Sequence, residues 1–246
     1  MLLNHSNNCQ RLHPLLESIA SQIRLRRSIL CDLVPLEEDS EFTNLKGELN
    51  GEDFFINNEI HRARGLRRIH LESAKLGTGL EILHCVFFPI PTFDLPIFGV
   101  DVVVFQKGIT AAIVDLSPVS KDLPLEIRNG LANISIPNFR KVRQLPEWGN
   151  IFSQHVQFVR PEGKEEEDYF LQIVDDFLRI LVNFILHLEP DMPDAGSTIE
   201  RLKFQQFYCL QQKRNDKTRN VLAKAFDPHW AEQYIETFLF EVPFNL

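Results

Sequence analysis

Hydrophobic and polar positions along the 246-residue chain switch between a helical period and a period of two. Within residues 13–30, Leu15, Leu16, Ile19 and Ile23 recur at helical spacing, and Pro14 suits a first turn. A hairpin is predicted next, because Leu45–Leu49 and Phe54–Ile56 flank Asn50-Gly51, the strongest short turn signal. Strands follow at 67–75, 80–88, 99–105 and 110–116, the last after the turn Gln106-Lys107-Gly108. Such short connections suit antiparallel pairing, since parallel strands need long crossovers. Residues 124–134 predict a short helix and 151–159 a further strand. Residues 165–188 predict a long amphipathic helix striped by Phe170, Ile173, Val174, Phe177, Leu181, Phe184 and Leu188. Helices at 199–212, 216–225 and 230–240 complete the C-terminal half, and no internal repeat or flexible linker interrupts the pattern.

The strand at 80–88 is apolar on both faces. Ile82, His84, Val86 and Phe88 point one way, and Leu83, Cys85 and Phe87 the other. A sheet of that kind must be covered twice. The predicted fold is therefore α+β, a three-layer α/β/α sandwich around a central antiparallel sheet, with residues 1–246 as a single domain.

Two ionisable residues break the apolar run LEILHCVFFPIPTFDLPIFGVDVVVF, His84 and Asp101. Leaving either charged and unpaired there is expensive. On the preceding strand His70 and Glu72 share a face. If Thr78 centres the turn Gly77-Thr78-Gly79, Glu72 lies opposite His84 and His70 opposite Val86; a slip of one residue would separate them. The loop before Asp101 is too long to fix its register, but a simple meander sets it beside the His84 strand. Four titratable groups on one covered wall form either a structural hydrogen-bond network or a site for proton chemistry, and their convergence favours the site. Metal binding is a weaker alternative, because His70, Glu72 and His84 lack the HExxH helix spacing.

Composition narrows the class. No stretch of about 18 apolar residues suggests a membrane span, and the start MLLNHSNNCQRLHPLLES does not resemble a signal peptide. Cys9, Cys31, Cys85 and Cys209 are scattered, which fits a reducing cytoplasm better than a disulfide frame or zinc finger. The formal net charge of -8 disfavours nucleic acid as a partner. Glu162 and Glu165–Asp168 form an acidic run; Arg62, Arg64, Arg67 and Arg68 form one basic cluster, and Lys213, Arg214, Lys217, Arg219 and Lys224 another. Most such runs are solvated faces, although a basic one can dock an acidic partner. GxGxxG, GxxxxGK[ST] and GxSxG are absent, so no nucleotide-binding fingerprint supplies electrons.

The segments IHLESAKLGTGLEILHCVFFP, DLPIFGVDVV, TAAIVDLSPV, QLPEWGNIFS, QQKRNDKTRNVLAKAF and WAEQYIETFLFEVP carry a resemblance. In that order they resemble the ferredoxin-dependent bilin reductases, most of all the members that form phycocyanobilin. The likeness covers most of the chain from about residue 45, while residues 1–40 match poorly. It implies the α/β/α sandwich and a biliverdin IXα substrate held between sheet and C-terminal helices. It implies no bound flavin, nicotinamide or metal. Ferredoxin gives electrons singly, the bilin passes through radicals, and the protein supplies protons. Four electrons then reduce the D-ring vinyl group before the A ring. The family's central carboxylate corresponds to Asp101, its histidine partner to His84, the carboxylate beside the vinyl group to Glu72 and the neighbouring histidine to His70. Arg143 and Lys217 correspond to propionate-holding residues, and Asn215, Thr110, Ile82 and Val221 to pocket positions. The basic stretch 213–224 is the expected ferredoxin dock. Cytoplasmic location and a monomer complete the expectation. Sibling reductases that form phycoerythrobilin, or a non-catalytic tetrapyrrole carrier, are the alternatives.

Overall fold

The computed structural model describes residues 11–36, 42–106 and 108–244. Cys9 and Lys107 lie outside them. Helix α1 (Pro14–Arg27) opens with Pro14 at its first position and His13 as cap, the His13 ring accepting from the Leu15 N–H. Strands β1 (Val34–Pro35), β2 (Asn44–Leu49), β3 (Glu52–Ala63), β4 (Leu66–Leu76), β5 (Leu80–Pro89), β6 (Ile97–Phe105) and β7 (Gly108–Ser117) follow. Helix α2 (Leu125–Ala132), strand β8 (Gln157–Val159) and helices α3 (Gly163–Ile185), α4 (Gly196–Gln212), α5 (Asp216–Ala225) and α6 (Pro228–Gln233) complete the chain, α6 running on into a π-helical turn, Tyr234–Leu239.

All the strand pairs are antiparallel. The sheet has eight strands in the order β1-β3-β4-β5-β6-β7-β8, with β2 also on β3. Asn50 and Gly51 both take positive φ, 55° and 82°, as the tight turn between β2 and β3 requires. One face packs on α1, α2 and α3, through residues such as Leu16, Ile19, Phe98, Val100, Phe170 and Phe177. The other packs on α4, α5, α6 and the π-turn, through Phe54, Val86, Phe88, Tyr208, Leu222 and Phe238. The helical layers therefore cover both faces, as the doubly apolar strands require.

Three expectations need correction. The strand predicted at 151–159 is a 3₁₀ turn at Gly149–Ile151, a loop, and only the short β8. A buried carboxylate holds that loop: Asp115 accepts from the Ser153 N–H and hydroxyl and from the Ser117 hydroxyl at 2.6–2.8 Å. These local bonds satisfy backbone that a strand would have paired. The helix predicted over 230–240 starts at Pro228, with Asp227 capping the Trp230 N–H, and leaves α geometry at Tyr234. The long helix ends at Ile185 rather than Leu188. Among the described residues no helix is long and apolar enough to cross a membrane.

Candidate active site

Strand register places the ionisable residues. Glu72 on β4 stands opposite His84 on β5, and His70 opposite Val86. His84 stands opposite Asp101 on β6. Asn58 on β3 faces Glu72 from the other side. A single row, Asn58–Glu72–His84–Asp101, thus crosses four adjacent strands, with cross-strand neighbours roughly 5 Å apart. The His70 and His84 rings meet edge to face with centroids 6.1 Å apart.

The two faces of the sheet differ here. Leu83, Cys85, Val100, Val102, Ala112 and Val114, under α1 and α3, are no more than 1% exposed. On the opposite face Ile82, His84, Gly99, Asp101, Val103, Ala111 and Ile113 are only half-buried. That half-buried strip carries His84 and Asp101, while Glu72 and Asn58, the other two members of the row, are buried beside it. Nε2 of His84, Oδ1 of Asp101 and Nδ1 of His70 are buried atoms without a hydrogen-bond partner. Each such atom costs about 1–3 kcal/mol. That cost is offset when a ligand supplies the missing partner.

Burial sets the protonation. It pushes the Asp101 carboxyl up to about 7. Burial, helped by the charge of Asp101, pushes Glu72 to about 7 against the Tyr234 hydrogen bond, which lowers it. The same desolvation lowers His84 to about 4, and lowers His70 well below its usual value with help from Arg68 and His84. Near neutrality each carboxyl is therefore close to half protonated, while both imidazoles are neutral. Carboxylic acids titrating near the working pH are suited to general acid catalysis.

The other sequence-predicted positions fall into two groups, one at β6, β7 and Arg143 and one on α5. Arg143, exposed, donates from Nη1 to the Thr110 carbonyl and lies over the Phe158 ring at 5.1 Å. Thr110 sits in the register shift between β6 and β7, next to Val103 and Ala111 of the open face. Ile82 lies on the same face two residues from His84. Asn215, Lys217 and Val221 belong to α5. Asn215 caps the helix by accepting from the Lys217 N–H, Lys217 is exposed, and Val221 is half-buried against the second core. Of the basic stretch, Lys213 pairs with Glu236 and Arg219 with Glu232 inside the helical layer. Arg214, Lys217 and Lys224 remain exposed, so the outward charge is smaller than the sequence suggested. Among the described residues no group of three or more His, Cys, Asp or Glu is arranged to hold a metal ion.

Sequence reasoning missed Asn58, Tyr234 and Asp115. Asn58 interrupts the buried stripe Phe54, Ile56, Ile60 of β3 as His84 interrupts that of β5, so the same signal was available. Tyr234 belongs to a spacing of four, Phe226, Trp230, Tyr234 and Phe238, which the structure shows as a stacked ladder with centroids 4.1, 4.8 and 5.0 Å apart.

Comparison with known proteins shows the family and the fold. The sequence pattern of the ferredoxin-dependent bilin reductases matches residues 20–241. A relative from Prochlorococcus marinus (strain MIT 9303), named phycocyanobilin:ferredoxin oxidoreductase, is 55% identical over 94% of this chain and 88% of its own. One of the same name from Synechococcus sp. (strain CC9902) is 53% identical over 96% of each chain. The crystal structure of phytochromobilin synthase from tomato, in complex with biliverdin, superposes with a TM-score of 0.76 over 91% of this chain and 82% of that one. At 18% identity it shows a shared fold. With the family pattern spanning nearly the whole chain, the conclusion is direct: this chain belongs to the ferredoxin-dependent bilin reductase family and is an oxidoreductase.

Proposed function

We propose that the chain, folded as a single domain, reduces biliverdin IXα to phycocyanobilin with four electrons taken singly from ferredoxin, the D-ring vinyl group before the A ring. The observation that carries the reading is the half-buried, largely apolar strip on one sheet face, with His84 and Asp101 in register beside buried Glu72, which we read as the floor of the substrate cleft. A linear tetrapyrrole is a flat, largely apolar plate with two anionic propionates. The strip offers one face for it, and cationic Arg143 and Lys217, both exposed, suit the propionates, Arg143 through a two-pronged contact. Ile82, Thr110, Asn215 and Val221 complete the pocket.

Electrons arrive without protons, so each added electron makes the bilin more basic and calls for an acid nearby. Asp101 serves the pyrrole nitrogens and the A-ring lactam end. Glu72, with His70 beside it, serves the vinyl end. Burial keeps His84 neutral near pH 7, and it acts by exchanging a proton with its cross-strand neighbour Asp101 during the reduction. Each two-electron reduction consumes two protons, which leave the carboxyls and are replaced from solvent through the open cleft. Arg214, Lys217 and Lys224 offer an acidic ferredoxin a local patch on an otherwise acidic protein.

The test is incubation of pure protein with biliverdin, reduced ferredoxin and its reducing system without oxygen, followed by identification of the pigment. Phycocyanobilin is expected. Phycoerythrobilin would assign a sibling activity, and tightly bound but unchanged biliverdin would make the chain a carrier.

A further inference from the structure

We infer that Tyr234 and Asn58 are positioning residues for the reduction: they hold Glu72 and His70 as one hydrogen-bonded unit, with the Tyr234 hydroxyl fixing the Glu72 carboxyl toward the cleft. The inference rests on the function proposed above for Glu72, but its geometry stands alone. The Tyr234 hydroxyl donates to Oε2 of Glu72 at 2.8 Å. It accepts from Nδ2 of Asn58 at 2.8 Å. Oδ1 of Asn58 takes the Nε2–H of His70 at 2.8 Å. This assigns His70 as the Nε2–H tautomer and leaves its Nδ1 as the atom without a partner. Asn58 is itself pinned, donating also to the Phe42 carbonyl at 2.6 Å.

The phenol has no freedom to drift. Its ring is fully buried and stacks between Trp230 and Phe238 at interplanar angles of 14° and 23°. Tyr234 opens the π-helical turn, a departure from α geometry of the kind found at functional sites. A tyrosine needed only for packing would not require a polar chain through three buried side chains, where each unmet group is costly.

The groups facing Glu72 are Asn58 from β3, Arg68 and His70 on its own strand, His84 from β5, Asp101 from β6 and Tyr234 from the C-terminal layer. A phenol that donates to the carboxylate favours its ionised form and so lowers its pKa. Removing the hydroxyl has the opposite effect: Glu72 stays protonated to higher pH, in a carboxyl that is no longer held in place.

Tyr234→Phe keeps the stacked ring and deletes the hydroxyl. The first readout needs no turnover. The carboxyl infrared band of Glu72, identified by its loss in Glu72→Gln, is followed against pH in ligand-free protein. Its midpoint is expected to rise by about one pH unit in Tyr234→Phe. Placing 3-fluorotyrosine at position 234 keeps the shape and strengthens the donor, so the midpoint is expected to fall; this variant stands in if Tyr234→Phe does not fold. The second readout is a double-mutant cycle on vinyl reduction. Tyr234→Phe is expected to slow that step about tenfold, more than A-ring reduction, and to cost less than about twofold in a Glu72→Gln background. An unmoved midpoint, or equal loss in both backgrounds, overturns the inference. A shifted midpoint in a protein that makes no phycobilin would reject the proposed function and leave the positioning geometry intact.

Discussion

Asp101 shows what the site costs and what it provides. Its folded pKa of about 7 lies above the ordinary value of about 3.9. A raised carboxyl contributes its full stability below the ordinary value and loses it as pH rises through 7. Asp101→Asn removes that penalty. The variant is expected to be more stable than the parent at about pH 8 by roughly 1–3 kcal/mol, a figure reduced because the residue is half-buried rather than fully covered. The gain should vanish near pH 4, as denaturant unfolding at the two pH values would show. His84, lowered to about 4, has the opposite sign: its contribution is present above its ordinary value and fades as pH falls. The same variant is expected to keep biliverdin binding within a few-fold and to lose at least about a hundredfold in turnover, because the shape remains while a proton source is gone. Near-normal single-turnover rates would reject that role. The ionisable row was legible because His84 and Asp101 break apolar alternation and the turn Gly77-Thr78-Gly79 is too short to permit many registers. Tyr234 was not, because its partner Glu72 is 162 positions away in sequence and no local period joins them.

Among the elements, α5 carries Lys217 and Val221, with Asn215 as its cap, the residues that the proposed function puts at one side of the pocket. It rests on β2 where Gly47 lets the helix end approach: a Cβ there would lie 2.6 Å from the Ala225 carbonyl and 2.9 Å from the Phe226 ring. Gly47→Ala must push α5 outward, and with it Asn215, Lys217 and Val221. The expected result is a loss of about 1–3 kcal/mol in stability. KM for biliverdin should rise several-fold while kcat changes less, since the acids on the sheet stay in place. Steady-state kinetics at saturating ferredoxin checks this; an unchanged KM would detach α5 from the pocket. Strands β4 to β7 were readable from alternation, and the β2–β3 turn from Asn50-Gly51. The loop before β8 was not. Its apolar residues look like a strand, but the competing partner, Asp115, is fixed by tertiary structure rather than by pattern. The π-turn was hidden likewise, since an apolar period of four reads as regular helix.

For the whole molecule, the two faces of the sheet are covered unequally in a chain of net charge -8. Helices α1 and α3 seal one face, locked by Arg26 on α1, which donates twice to Asp175 on α3 at 2.8 and 2.6 Å. The well-packed sealed face lets the other carry polar atoms without hydrogen-bond partners. The three-layer architecture followed from strands apolar on both faces; the incomplete cover over the His84–Asp101 strip did not, because helix placement over a sheet depends on contacts between distant segments. The proposed reduction requires the pigment to lie against that strip. A crystal structure of the biliverdin complex tests it most directly. It predicts the tetrapyrrole against Ile82, His84, Asp101 and Val103, with pyrrole nitrogens within hydrogen-bond distance of Asp101, the vinyl end at Glu72, and propionates at Arg143 and Lys217. A pigment bound elsewhere, with the row still facing an empty cleft, would contradict it.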